Sequence, residues 1–515
     1  MRKILMSICV MLGVWALVFC FNGCDKIGNG DENSLCDGIF KYEYTTDSKG
    51  YAVVGFAEKK AVANLEIPAK YKDKPVLEIS DYAFDSCKIG QVTISDSVLK
   101  IGKGAFRNCA VLELVKFGKN VTLVDEKAFE QCIKLRQIDM NEGLETIASR
   151  AFYDCKRLET IEHPNSLKVI GNNAYEKCEI LSSVTFGNSL EEIGEYAFAG
   201  LNELKTIVFS DFSPTVIKNY AFSNCNGLMK LNIGNGVKAI GDYAFYYCGR
   251  LNWLVVGDSV TSIGERAFVC NELVYVQLGK NVQTIGYAAF YCYKLVEIYN
   301  RSNLPLSPKQ TDYAEYGYIT SRAYHVYVEG ESSYLSVVGD GLVIYTEANE
   351  KILITQDGTD VLYDLKIPNG VTKIWQRAFY DNQRIVKVTI PDSVTEVGDM
   401  AFTFCNKLET VIFGDGVESL GSTVLGHTYY LKEVVIGEKI KTIPDSTFYN
   451  AGKYTGILKV YYKGGNTQHL LMEIGENNTK LLEGSWYYYS KIEPTSDGAY
   501  WYYDQYGKIK LWETT

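Results

Sequence analysis

The dipeptide Ala-Phe returns along this chain about every 23 residues, and no other feature limits the possible folds as strongly. It stands at Ala83-Phe84, Ala105-Phe106, Ala128-Phe129 and Ala151-Phe152. It continues as Ala174-Tyr175, Ala197-Phe198, Ala221-Phe222, Ala244-Phe245, Ala267-Phe268 and Ala289-Phe290, with steps of 22 to 24 residues. A second series, Ala378-Phe379, Ala401-Phe402, the degenerate Val424-Leu425 and Thr447-Phe448, keeps a step of 23 throughout. Fourteen units at one period predict stacked coils, so the 515 residues need not divide into ordinary independent domains.

Leu181 to Glu203 shows one whole unit. Leu181, Val184 and Phe186 predict a short strand that Gly187 ends, and Leu190 and Ile193 a second one closed by Gly194. Ala197, Phe198 and Leu201 then predict a helical or 3₁₀ turn that aims the ring inward. One coil has too few apolar side chains for a core, and stacking joins them into a continuous one. The order Leu-x-x-Val-x-Phe-Gly-x-x-Leu-x-x-Ile-Gly-x-x-Ala-Phe resembles the BspA-like leucine-rich repeat family of bacterial surface proteins, over roughly Tyr82 to Tyr462 apart from an insert. Asp125, Ala148, Lys218, Trp375 and Pro444 replace the second glycine in some units. The resemblance implies a right-handed leucine-rich repeat solenoid used for adhesion to host matrix proteins, other bacteria or glycans. It names no ligand.

The repeat also accounts for most of the 14 cysteines, which otherwise hint at a disulfide scaffold or a thiolate metal site. Cys87, Cys109, Cys132, Cys155, Cys178, Cys225, Cys248 and Cys405 lie three residues after the aromatic of their unit, and Cys270 and Cys292 two after it. Equivalent positions in stacked coils predict a ladder of small buried thiols. Disulfides between neighbouring rungs are the alternative, since one coil spacing falls within the permitted Cα separation. Parallel side chains in a line rarely reach the disulfide torsion, however, and they do not converge as tetrahedral metal ligation requires.

The first segment bears on location. Met1-Arg2-Lys3 is a short positive start, Ile4 to Phe21 is nearly continuously apolar, and the chain turns polar at Asp25-Lys26. This pattern predicts a signal peptide over 1–23. The ending Phe21-Asn22-Gly23-Cys24 resembles the lipobox of bacterial lipoproteins, which implies lipid attachment at Cys24 and anchoring at the outer membrane or cell envelope after export. Plain secretion with a free or paired Cys24 is the alternative.

Around the arrays a module occurs twice. Asp37-Gly38-Ile39-Phe40 and Leu65-Glu66-Ile67-Pro68 precede the first, and Asp340-Gly341-Leu342-Val343 and Leu365-Lys366-Ile367-Pro368 the second. Each predicts a β-rich cap over an open end. The expected organisation is a tether over 24–36, a β cap over 37–81, a first array over 82–300 and a Tyr-rich insert over 301–338. A second cap over 339–377, a second array over 378–463 and an aromatic-rich C-terminal cap over 464–515 follow. Degenerate coils inside the insert are possible on spacing alone. Two aromatic strands around Pro494 to Gly498 predict a terminal hairpin.

No catalytic constellation emerges. His163, His325, His427 and His469 are scattered and read as surface or satisfied loop residues, and Gly414-Asp415-Gly416 lacks the setting of a dinucleotide site. A net charge of −10 argues against nucleic acid as a partner. The expected protein is non-catalytic, without cofactor or metal, and reaches the membrane only through its lipid. Its partners are protein or glycan ligands on host or neighbouring cells, and a structural envelope protein without a soluble ligand is the further alternative. Recognition falls to the outward row of the first strand: Thr93, Lys116, Asp139, Glu162, Thr185, Val208, Asn232, Val255, Gln277 and Tyr299. With Trp253 and Tyr275 of the neighbouring row, Val255 and Tyr299 gather on consecutive coils as a candidate ligand-binding set. Contact with the Tyr-rich insert that follows is the competing reading of these rings.

Overall fold

The computed structural model describes residues 35–58, 61–309, 316–338, 341–356, 363–495 and 498–512. The chain forms two compact units, one ending at Phe198 and the other beginning at Ala199. Both are built from stacked coils, and each coil adds a rung to several parallel ladders.

Two of the ladders are strands. Ser183–Thr185 pairs in parallel with Thr160–Glu162, and Glu192–Ile193 with Val169–Ile170, in register. The pleat turns Val184 and Ile193 into the core, where both are fully buried, and their neighbours outward. Short strands of this kind have little stability alone and gain it from the coils on either side.

The Ala-Phe segment departs from the helical turn that its spacing predicts. Two residues in most such coils take left-handed backbone, as Arg150 (φ 58°) and Asp154 (φ 61°) do around Phe152, and a left-handed residue four positions after another ends a right-handed helix. Hydrogen bonds alternate instead. Ala151 N and Tyr153 N donate back three residues to Ala148 O and Arg150 O, whereas Arg150, Phe152 and Asp154 N donate to Asn172, Ala174 and Glu176 O of the next coil. The segment is a run of turns and also a third ladder between coils.

Side chains stack at the same step. Phe84, Phe106, Phe129, Phe152, Tyr175 and Phe198 form a column with centroids 5.0–5.3 Å apart and planes within 14°. Phe222, Phe245, Phe268 and Phe290 repeat it in the second unit at 5.1–5.4 Å, as do Phe379 and Phe402 at 5.3 Å. Each fully buried ring contributes roughly 1.5–3 kcal/mol of hydrophobic stabilisation.

The cysteines form a parallel column with a defined polar role. Cys132 Sγ donates to Phe106 O of the preceding coil at 3.1 Å, and Cys109, Cys155, Cys178, Cys248, Cys270, Cys292 and Cys405 make the same contact at 3.0–3.4 Å. A thiol here fills a small volume and satisfies a buried carbonyl lone pair. The eight thiols that make this contact carry no disulfide, and burial pushes those of Cys109, Cys292 and Cys405 up to about 12.

Antiparallel meanders precede both arrays. Leu35–Cys36, Phe40–Tyr44 and Tyr51–Phe56 form one, joined in parallel to Lys74–Ile79. Leu335–Val338, Leu342–Glu347 and Glu350–Gln356 form the other, joined in parallel to Lys373–Ile374. The insert extends the first-strand ladder by one rung, because His325–Tyr327 pairs in parallel with Glu297–Asn300. At the C-terminus the expected hairpin is corrected: Ser485–Tyr489 and Tyr500–Tyr503 run parallel, and the antiparallel partner of Tyr500–Tyr503 is Ile509–Leu511.

One ladder is interrupted within the first unit. First strands pair from Val62–Ile67 through Ile89–Ile94 and Leu114–Lys116 to Gln137–Asp139, and stop there; Thr160–Glu162 begins a new sheet.

Candidate binding surface

The outward row of first strands is polar in the first unit, where Thr93, Lys116 and Glu162 are exposed and Asp139 and Thr185 half-buried. In the second unit Val208 and Asn232 are exposed, and Val255, Gln277 and Tyr299 are half-buried. Trp253 is half-buried too, but Tyr275 departs from the expectation of an exposed ring, being only 5% exposed. The cause is a cover from the insert. Tyr275 stacks on Trp253 at 3.9 Å, its hydroxyl lies 3.3 Å from that of Tyr327, and Tyr327 stacks on Tyr299 at 4.8 Å. Burial, then the hydrogen bond to Tyr327, raises the Tyr275 phenol well above its ordinary pKa. The four candidate side chains do gather on adjacent paired strands, with Trp253 opposite Tyr275 and Gln277 opposite Tyr299.

Beside them lies a cluster that spacing does not reveal. Glu297 is fully buried, and its carboxylate accepts from Ser333 Oγ at 2.5 Å and Tyr334 N at 2.7 Å, with His325 Nδ1 at 3.0 Å. The His325 ring stacks on Tyr334 at 4.1 Å. These partners come 28 to 37 residues after Glu297, so nothing in its local pattern marks it. Lys294 is another missed residue. Its buried ammonium donates to Glu272 at 2.5 Å, to Ala378 O at 3.2 Å and to Thr355 Oγ1 at 3.4 Å. Desolvation lowers its pKa, against the opposing pull of Glu272. These acceptors tie the last coils of the first array to the start of the second, which is a structural role.

The remaining histidines meet tyrosine hydroxyls: His163 Nε2 at Tyr175 (3.1 Å), His427 Nδ1 at Tyr429 (3.0 Å) and His469 Nδ1 at Tyr488 (2.9 Å). Among the described residues no group of three or more His, Cys, Asp or Glu side chains is placed to hold a metal ion. A group of exposed rings lies on the turn ladder, where Tyr247, Tyr287 and Tyr291 are each nearly half exposed. The Arg266 guanidinium stands 5.5 Å from the Tyr287 ring centroid. Tyrosines adjoining Ala-Phe, such as Tyr82, Tyr196 and Tyr243, were the sequence signal for this second aromatic face.

Cys24 and the segment 1–23 lie outside the described residues. Among those described, no helix is long and apolar enough to cross a membrane.

The model of the BspA type leucine rich repeat region matches residues 77–205, 192–308 and 357–457. No curated protein matches the chain. Among solved structures, the chain is similar to a leucine-rich repeat protein from Bacteroides ovatus, at 23% identity over 82% of this chain and 98% of that one, with a TM-score of 0.44. It is also similar to the leucine rich repeat protein of T. pallidum, at 24% identity over 42% and 90% of the two chains, with a TM-score of 0.35. A leucine rich cell surface protein from Faecalibacterium prausnitzii is 21% identical over 86% and 98%, with a TM-score of 0.29. With well over half of its length matched by the repeat model, and with coils that stack as such repeats must, the chain belongs to the BspA type leucine-rich repeat family.

Proposed function

We propose that this chain is a non-catalytic binding protein, held at the cell surface by a lipid on Cys24, whose ligands are proteins of a host matrix or of neighbouring cells. The observation that carries the reading is the contrast between its two sets of positions. The inward rungs are nearly invariant, whereas the outward row changes from Thr93 to Lys116 and Asp139 on one run of paired strands and from Glu162 to Thr185 on the next. Varied polar side chains on a rigid repeat surface suit recognition of a partner, with specificity set by their order. A glycan ligand is the second reading, favoured by the half-exposed Tyr247, Tyr287 and Tyr291, whose rings suit stacking on sugars.

The test is a binding screen of the mature chain against a panel of matrix proteins and a glycan array. Saturable binding to a protein supports the first reading, and binding confined to glycans supports the second. No binding in either arm favours a purely structural envelope protein. Mass spectrometry of the mature N-terminus tests the anchor: a diacylglyceryl group on Cys24 is expected, and an unmodified Cys24 or cleavage elsewhere would contradict it.

A further inference from the structure

The interrupted ladder of the first unit forms an opening between two strands that the repeat places side by side. Gln137–Asp139 pairs backward with Leu114–Lys116, and Thr160–Glu162 pairs forward with Ser183–Thr185, but the two do not pair with each other. On either side the ladder is complete. Phe117 N donates to Asp139 O at 3.0 Å, and His163 N to Thr185 O at 2.9 Å. Met140 N holds the same place at the break and has no such partner among the described residues. Parallel pairing would turn the backbone groups of Ile138, Thr160 and Glu162 into the opening as well.

The opening is local. Behind it Thr146 still faces Val169 in the second-strand ladder, and the rings of Phe129 and Phe152 stand 5.3 Å apart. Its sequence marks are Met140-Asn141 on one side and His163-Pro164 on the other, between units that carry Phe117-Gly118 and Phe186-Gly187, and Ile138 is only half-buried where Val115 and Val184 are fully buried. A cavity of about 590 Å³ results. Its rim carries Asp139, Glu159 and Glu162 against one cation, Arg136.

We propose that this opening is a strand-acceptor slot for an extended, basic segment of a partner protein. Two facing strand edges offer backbone donors and acceptors at the spacing an extended chain uses, the physical basis of strand addition. The excess of carboxylates selects lysine or arginine side chains on the incoming segment. The slot deepens the protein-binding reading and rests on it.

Hydrogen exchange on the full chain tests the slot first without any ligand. The amides of Ile138, Met140, Thr160 and Glu162 should exchange at least tenfold faster than those of Phe117, Val115, Ser183 and Thr185; equal protection would mean a closed ladder and overturn the proposal. The probe is then an end-blocked octapeptide of alternating Lys and Thr, compared with one of alternating Glu and Thr. The Lys peptide should slow exchange of the four slot amides at least tenfold, and the Glu peptide should not. Glu162→Lys, at an exposed position, should weaken the Lys peptide about tenfold without moving the melting temperature. No binding, binding that leaves the four amides unprotected, equal binding of both peptides, or protection of these amides by a glycan would each overturn the slot. A matrix protein captured elsewhere on the surface would still uphold the broader reading.

Discussion

His163 Nε2 lies 3.1 Å from the hydroxyl of Tyr175, the one tyrosine in the ring column of the first unit. Both substitutions break the local pattern, since Phe stands at the first position in Phe117, Phe186 and Phe209 and at the second in every other ring of the column. They break it together: the hydroxyl that enters the column meets the ring nitrogen that replaces a phenyl, and His163 Nδ1 is satisfied 3.0 Å away by Thr185 O. Tyr175→Phe alone orphans His163 Nε2 and should cost about 1–3 kcal/mol. His163→Phe with Tyr175→Phe removes both partners and should lie within about 1 kcal/mol of wild type. Urea denaturation of Tyr175→Phe, His163→Phe and the double variant checks this; additive effects in the double variant would contradict the pairing.

The same histidine sets a pH dependence. Burial pushes its pKa down to about 4, whereas in the unfolded chain it titrates near 6.5. The unfolded state therefore binds the extra proton as pH falls. The contribution of neutral His163 is fully present above about 6.5, declines between about 6.5 and 4, and is lost below that, amounting to roughly 3 kcal/mol. Unfolding midpoints from pH 7.5 to 4.5 should fall more steeply for wild type than for His163→Phe, which isolates this group from the carboxylates.

Lys294 should be costly to remove. Lys294→Met leaves Glu272 without its cation and Ala378 O without its ammonium donor, a loss of about 3–5 kcal/mol typical of a broken buried pair. Thermal unfolding of the second unit reports it, and a variant as stable as wild type would mean that the pair contributes nothing to joining the arrays.

Tyr275→Ala should destabilise by about 3 kcal/mol, because the ring fills space between Trp253 and Tyr327. Tyr275→Phe should cost about 1 kcal/mol. Calorimetry separates this from a ligand-contact role, in which the Ala variant would keep its melting temperature and lose only binding.

Gly187 sits where the first strand turns, and a Cβ there would stand 2.2 Å from Pro164 O of the preceding coil. Gly187→Ala must push the coils apart and should cost about 1–3 kcal/mol, measurable by denaturant titration.

What the sequence disclosed, and what it hid, divides along the same physical line. The rungs at Phe152 and Cys155 were legible because every coil offers them the same surroundings, so one residue type recurs. The left-handed pair Arg150 and Asp154 was not, because that backbone is held by bonds between coils and the side chains there vary freely. The cover on Tyr275 comes from Tyr327, 52 residues away, beyond the reach of any local pattern. The parallel course of Tyr500–Tyr503 depends on tertiary pairing, since aromatic alternation fits either direction. The break after Asp139 left two small traces, Met140-Asn141 and His163-Pro164 in place of Phe-Gly.

The cysteine-rich composition of this chain records its architecture: the cysteines are rungs that donate to carbonyls and carry no cross-links. Counting thiols tests it most directly. Alkylation in denaturant without reductant should label all eleven cysteines from Cys36 onward, while the native chain leaves the nine buried ones unlabelled. Recovery of fewer than about eight free thiols in denaturant would mean disulfides between rungs and would contradict the account.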